Sequence, residues 1–186
     1  MNGVVSLLDP ETTAQIHTIW AGMQAAHGIG EAARRVPWPH LSFHIAPRYD
    51  LIRLEAGLRP LARETRPFEV RTTGLGIFTG PTPVLYLAVT RSPALSALHA
   101  RAWAACDAAA QDSSDLFAPN VWVPHITLAH LDVTPANLPG LIADLGGRDF
   151  AWTITLSAFT ALFKVDDVYQ PALHTPFGGS SLASIY

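Results

Sequence analysis

One five-residue pattern occurs twice in this chain: Pro39-His40-Leu41-Ser42-Phe43 and Pro124-His125-Ile126-Thr127-Leu128. Each copy reads proline, histidine, aliphatic, hydroxyl, large apolar, and the two histidines lie 85 positions apart. Side chains alternate between the faces of a strand. On that period His40, Ser42 and His44 share one face, and Leu41, Phe43 and Ile45 share the other. His125 and Thr127 face one way, Ile126 and Leu128 the other, and His130 falls opposite His125 and reads as structural. The apolar faces belong to a core. The polar faces need water, a partner or a ligand, because an unpaired buried polar group is costly. Two imidazoles can work as general acid and general base near neutral pH. Two hydroxyls can hold the non-bridging oxygens of a phosphate between them.

The elements around the motifs repeat as well. Val4 to Leu8 reads as a short strand. Asp9-Pro10-Glu11 opens a helix with a capping acid followed by proline, and Ile16, Ile19, Trp20 and Met23 continue it at helical spacing to Gly28. The first histidine strand runs to Ala46. Tyr49 to Glu64 reads as a helix with Leu51, Leu54, Leu58 and Leu61 on one face. Phe68 to Phe78 and Val84 to Thr90 read as strands about the Gly80-Pro81-Thr82-Pro83 turn. Ser92-Pro93 opens a second long helix by the same device, with Leu95, Leu98, Ala102 and Cys106 at helical spacing. Val121 to Leu131 is the second histidine strand, Thr134-Pro135 opens a helix ending at Gly146-Gly147, and Phe150 to Lys164 is one long strand bulged near Ala158. Val168 to Pro176 returns from the Asp166-Asp167 turn, and Gly178 onward reads as a tail. Asp50 and Pro135 open helices at the offset of the histidines, and Phe78 and Phe163 sit late in strands at the same offset. An internal duplication follows: one α/β (α+β) domain over residues 1–186, with repeats at roughly 9–90 and 92–177 packed about a central cleft.

Composition narrows the function. Hydrophobic residues make up 49% of the chain, enough for a full core, and the formal net charge is −3. A sequence-independent nucleic-acid surface would need a strong basic stripe, so no extended nucleic-acid surface is expected. The charge is uneven: residues 1–85 carry eight Arg against seven acids, and residues 86–186 carry four cations against eight acids. Phosphate is therefore expected to approach the first half. Cys106 is the only cysteine, which excludes an intramolecular disulfide and a cysteine-based zinc cluster. It reads as an inert buried thiol. No signal peptide or membrane-spanning run is seen, so a cytoplasmic protein is expected.

The paired motifs His40-Leu41-Ser42-Phe43 and His125-Ile126-Thr127-Leu128 resemble the signature of the two-histidine (2H) phosphoesterase superfamily. The nearest branch is the bacterial 2′-5′ RNA ligase-like proteins, many of which act as RNA 2′,3′-cyclic phosphodiesterases. The resemblance spans nearly the whole chain, including the closing hairpin from Leu156 to Phe177. It implies a bilobal fold of two mainly antiparallel sheets flanked by helices. It implies that His40 and His125 are the catalytic pair, that Ser42 and Thr127 hold the phosphate, and that no metal or other cofactor takes part. RNA terminal cyclic phosphates or small cyclic nucleotides are then the expected partners, opened to 2′-phosphates with His125 as base and His40 as acid. Departures exist: Ser42 stands where threonine is commoner, and Ala129-His130 follows the second motif where a basic residue is usual. Two other readings stay open on the residues alone. One is a module that binds phosphorylated ends without turnover; the other is a metalloenzyme using His40, His44, His125 and His130. His44 is expected either to line the cleft beside His40 or to be a bystander.

Overall fold

The two long helices begin as their caps dictate. The Thr12 amide donates to Asp9 Oδ1 at 2.8 Å and the Leu95 amide to Ser92 Oγ at 3.1 Å, with a proline at the first helical position of each. Gly28 closes the first helix in the left-handed conformation, φ 69°. The computed structural model describes residues 1–179; residues 180–186, part of the tail expected from sequence, lie outside the described residues. The chain runs β1 (Asn2–Leu7), α1 (Pro10–His27), α2 (Glu31–Arg35), β2 (His40–Ala46), β3 (Arg48–Tyr49), α3 (Leu51–Glu64), β4 (Phe68–Phe78), β5 (Val84–Val89), α4 (Pro93–Asp107), β6 (Ala110–Gln111), β7 (His125–Ala129), α5 (Leu138–Leu145), β8 (Thr153–Leu156), β9 (Ala158–Val165) and β10 (Val168–Pro176).

Two antiparallel four-stranded sheets result, in the orders β10-β9-β1-β2 and β7-β5-β4-β8. Each histidine strand is the edge of its sheet, and the two edges meet. The meeting is fixed by Trp122, just before β7, whose Nε1–H donates to the Ser42 carbonyl at 3.0 Å. Each sheet also takes strands from the other half of the chain, since β9 and β10 complete the sheet of β2. One contiguous core runs between sheets and helices, and Phe43, Phe159, Trp122, Leu54, Leu85, Leu87 and Ile126 are all essentially buried in it.

Both histidine strands break their alternation at the same point. In β2, Ser42 pairs with Val5 and His44 with Val4, leaving Phe43 as an extra residue; in β7, Thr127 pairs with Tyr86 and Ala129 with Leu85, leaving Leu128 extra. These are β-bulges. Each bulge carbonyl is held by a helix. His99 of α4 donates from Nε2 to the Phe43 carbonyl at 3.0 Å, and Trp20 of α1 donates from Nε1 to the Leu128 carbonyl at 2.9 Å.

Four expected elements differ from those observed. Phe150 to Lys164 is two strands: β8 pairs with β4 in one sheet, β9 with β1 and β10 in the other, and the break at Ser157 lets the chain change sheets. The second histidine strand begins only at His125, because Pro124 lacks a ladder N–H and Arg91 Nη1 occupies the Trp122 carbonyl at 3.0 Å. The helix expected from Thr134 begins at Leu138, since Thr134 and Asn137 hydrogen-bond each other's backbone amides through their side chains in a turn. Leu51 is exposed, and Leu54, Leu58 and Leu61 carry the buried stripe of α3.

His99 lies flat on Trp122, ring centroids 3.7 Å apart at 4°, and is fully buried. His99→Phe keeps an aromatic ring there and leaves the bulge carbonyl of Phe43 unpaired. The expected loss of unfolding free energy at pH 7 is about 1–3 kcal/mol, read by urea denaturation. A loss below about 0.5 kcal/mol would show that the bulge does not depend on this bond.

Candidate active site

The bulges decide which side chains reach the groove between the sheet edges. After the extra residue the alternation slips by one. His44 therefore falls on the core face with Leu41 and Phe43 and is fully buried, whereas Ile45 turns to the groove. This corrects the expectation that His44 shares the face of His40; of the two places left open for it, it does not line the cleft. The same slip in β7 buries Ala129 and brings His130 into the groove wall, which corrects the expectation that His130 points away from it. Ile45 and His130 are thus counterparts in the two motifs, at the same offset as His40 and His125.

Both motif imidazoles are anchored alike. His40 Nδ1 lies 2.6 Å from the Trp38 carbonyl and His125 Nδ1 lies 2.7 Å from the Val123 carbonyl, each two residues back along the chain. A carbonyl only accepts, so each Nδ1 carries the proton and donates it. The neutral form is then fixed with its free lone pair on Nε2. An Nε2 so placed can accept a proton when the ring is neutral and donate one when it is charged. Burial pushes both imidazoles below the ordinary 6.5; the carbonyl contacts oppose this, and for His40 the neighbouring His125 adds to the lowering. Ser42 and Thr127 follow two residues later, half-buried on the same strands.

His125 sits in an aromatic box. Phe78 meets it edge-on with centroids 4.9 Å apart, and Tyr86 lies 5.1 Å away. Tyr86 reaches that position by crossing β4 over Gly76, where a Cβ would come within 2.3 Å of its ring. Gly74, at φ 130°, takes a conformation that favours glycine. Gly76 therefore serves this packing, whereas Gly74 stands at the register shift between β4 and β5. Beside His40 the groove opens into a cavity of about 370 Å³. His40, Thr127, Ile45 and His130 contribute to its wall; Ser42 and His125 do not. Arg35 and Lys164 also line it, and among the described residues no Asp or Glu does.

His44, Cys106 and Arg48 do not line this cavity. His44 joins the Tyr49 hydroxyl through Nδ1 at 2.6 Å, behind the strand, and its Nε2 is buried with no partner among the described residues. Burial lowers its pKa to about 4 and raises those of Tyr49 and Cys106, the thiol being fully buried. Arg48 is exposed on β3. Trp122 is core, but Trp38 is 37% exposed at the groove rim, with Nε1 donating to the Tyr169 carbonyl at 3.1 Å. Among the described residues no three His, Cys, Asp or Glu side chains are grouped to hold a metal ion, and no helix is long and apolar enough to cross a membrane.

Two antiparallel sheets flanked by helices, with one His-x-Ser/Thr strand on each meeting edge, form the fold of a two-histidine phosphoesterase. The family model of the 2′-5′ RNA ligase superfamily matches residues 8–169, and the chain belongs to that superfamily. Among solved structures the chain is similar to TT0787 of Thermus thermophilus, with 19% identity, a TM-score of 0.64 and coverage of 97% of this chain and 99% of that one. It is similar to E. coli LigT complexed with 3′-AMP, at 20% identity and TM-score 0.57, covering 95% and 97%. Usb1 of Kluyveromyces marxianus, solved with uridine monophosphate, is similar at 12% identity and TM-score 0.51, covering 95% and 98%. No curated protein matches the chain in sequence.

His44 and His99, both fully buried with pKa values lowered to about 4, give the fold a pH dependence. Between the ordinary 6.5 and about 4 the unfolded chain holds protons on these rings that the folded chain does not. Stability is therefore complete above that window and falls as pH drops through it, by up to about 1.4 kcal/mol per pH unit for each group. Urea denaturation at pH 7, 6 and 5 is expected to show this fall, shallower in His44→Phe. Equal stability at pH 7 and 5 would contradict it.

Proposed function

We propose that this protein is a phosphodiesterase that opens 2′,3′-cyclic phosphates of RNA ends or small nucleotides to 2′-phosphates, with two histidines and no metal. The observation that carries the reading is the matched anchoring of His40 and His125: each holds its Nδ1 proton on a carbonyl two residues back, which leaves the lone pair on Nε2. Membership in a superfamily of phosphoesterases and RNA ligases supports it. So do the nucleotides bound by similar folds: 3′-AMP, ATP and NADP+ by LigT, and uridine monophosphate by Usb1.

In this mechanism Ser42 and Thr127 donate hydroxyl hydrogen bonds to the non-bridging oxygens of the cyclic phosphate. Water attacks phosphorus, and His125 Nε2 takes its proton. The bond from phosphorus to O3′ breaks, and His40, protonated on Nε2, gives its proton to the departing O3′. The product is a 2′-phosphate with a free 3′-hydroxyl. Each imidazolium keeps its Nδ1 donor to the carbonyl, so charging the ring costs less than burial alone would impose. A 5′-hydroxyl entering in place of water would give a 2′-5′ linkage by the same proton transfers. His130 lies in the same cavity wall, in the position where the first motif has Ile45.

The test is turnover of 2′,3′-cyclic AMP and of a short RNA ending in a 2′,3′-cyclic phosphate, with chelator present. His40→Ala and His125→Ala are each expected to lower kcat/KM by about a hundredfold or more, with circular dichroism unchanged. Ser42→Ala and Thr127→Ala are expected to cost less. Because burial lowers both imidazoles, the bell-shaped profile of kcat/KM is expected to peak on the acidic side of 6.5. Activity lost to chelator and restored by a divalent metal would overturn the metal-free mechanism. Nucleotide binding that survives both alanine changes, with no turnover, would make the protein a binding module instead.

A further inference from the structure

The cavity wall carries two cations that the proposed hydrolysis leaves without a role. Arg35 closes the short helix α2, and Lys164 lies near the end of β9; both line the cavity that holds His40 and Thr127. Their counter-charges stand outside that wall. Glu31 binds both Arg34, at 2.7 Å, and Arg35, at 3.1 Å, while Asp167 lies 3.0 Å from Lys164 and 3.9 Å from Arg35. Three cations thus share two carboxylates, and Arg35 and Lys164 are the members that face the cavity.

The placement is built from several directions. The amides of Gly30 and Glu31 donate to Asp132 Oδ2 at 2.7 and 2.8 Å, which ties α2 to the chain just after β7. Trp38 donates to the Tyr169 carbonyl, which ties the segment after α2 to the β9–β10 hairpin that carries Lys164. Apart from the cations, the histidines and Thr127, the wall is mainly apolar, with Val36, Ile45, Leu162 and Tyr169 among its members. A ligand with one anion at His40 and Thr127 can place a second anion on Arg35 and Lys164 in the same cavity. The proposed reaction places one anion, the cyclic phosphate, at His40 and Thr127. On a ribose whose O2′ and O3′ carry that phosphate, the remaining hydroxyl is on O5′.

We propose that Arg35 and Lys164 bind a second phosphate, carried on O5′ of the same nucleoside whose 2′,3′ phosphate reacts. This inference rests on the proposed function and deepens it: the substrate is a nucleotide with phosphate on both sides of the sugar, not a lone nucleoside cyclic phosphate. Two sources share that chemistry. One is an RNA 3′ end, whose last internucleotide phosphate is a diester on O5′; the other is a small nucleotide with a terminal phosphate or pyrophosphate there.

Binding of product analogues separates this inference from the catalytic reading. Isothermal titration compares adenosine 2′-phosphate, adenosine 2′,5′-bisphosphate and the dinucleotide ApA bearing a 2′-phosphate. In the wild-type protein the two-phosphate ligands are expected to bind about tenfold tighter than the monophosphate, as added charge-assisted hydrogen bonds would give. The ratio is expected to fall towards one in Arg35→Gln/Lys164→Gln and to persist in Arg35→Lys/Lys164→Arg, with thermal melting showing that both variants fold. A tighter dinucleotide points to RNA ends; a tighter bisphosphate points to small nucleotides. Equal wild-type affinities, or an advantage that survives the double glutamine variant, would overturn this inference and leave the proposed hydrolysis standing. Failure of all three ligands to bind would overturn both.

Discussion

Two hydrogen bonds to two bulge carbonyls carry the geometry of this protein. His99 holds the Phe43 carbonyl and Trp20 holds that of Leu128, each from a long helix on the core side of its strand. A bulge leaves a residue out of the ladder, so its carbonyl needs another donor. With the donors in place, the slip in each strand becomes a fixed feature. Residues before the slip, His40 with Ser42 and His125 with Thr127, keep the alternation that shows their polar side away from the core. Residues after it, Ile45 and His130, are turned into the same groove. The bulges therefore widen the set of side chains that two edge strands bring to one place.

The imidazoles depend on a second, shorter-range constraint. A histidine in a half-buried groove has a choice of tautomer, and only one presents a basic Nε2 outward. The Trp38 and Val123 carbonyls make that choice for His40 and His125. Burial holds both rings below their ordinary pKa, so they are mostly neutral at pH 7, while the carbonyl contacts favour the charged form and limit the shift. The two effects act on both rings in opposite directions. The prolines help: Pro39 and Pro124 fix the backbone just before each histidine and offer no N–H of their own to compete.

Much of this was legible in the sequence. The repeated motif marks the two edge strands, the Asp9-Pro10 and Ser92-Pro93 caps mark the long helices, and the shared offset marks the matching order of elements. Each is local, so the residues that cause it are adjacent in the chain. His44 and His130 were misplaced because strict alternation has no way to register an extra residue. The donors that stabilise each bulge, His99 and Trp20, lie 56 and 108 residues from the carbonyls they hold. The one local signal is the apolar pair Leu128-Ala129, which puts two core-type residues in a row where alternation expects one. Phe150 to Lys164 misled for a related reason: both of its parts are strand-forming, and only the partners, β4 for one and β1 with β10 for the other, show that they belong to different sheets. Arg35 and Lys164 carry no motif at all, and only the fold brings them to one cavity.

The central claim is that His40 and His125 form a matched pair, each anchored through Nδ1–H with Nε2 left free. Nitrogen-15 spectra of the histidine rings, assigned with His40→Ala and His125→Ala and followed through a pH titration, test this directly. The account predicts that at pH 7.5 both rings are neutral with the proton on Nδ1, and that both titrate below 6.5. A proton on Nε2 of either ring, or a ring still charged at pH 7.5, would contradict it.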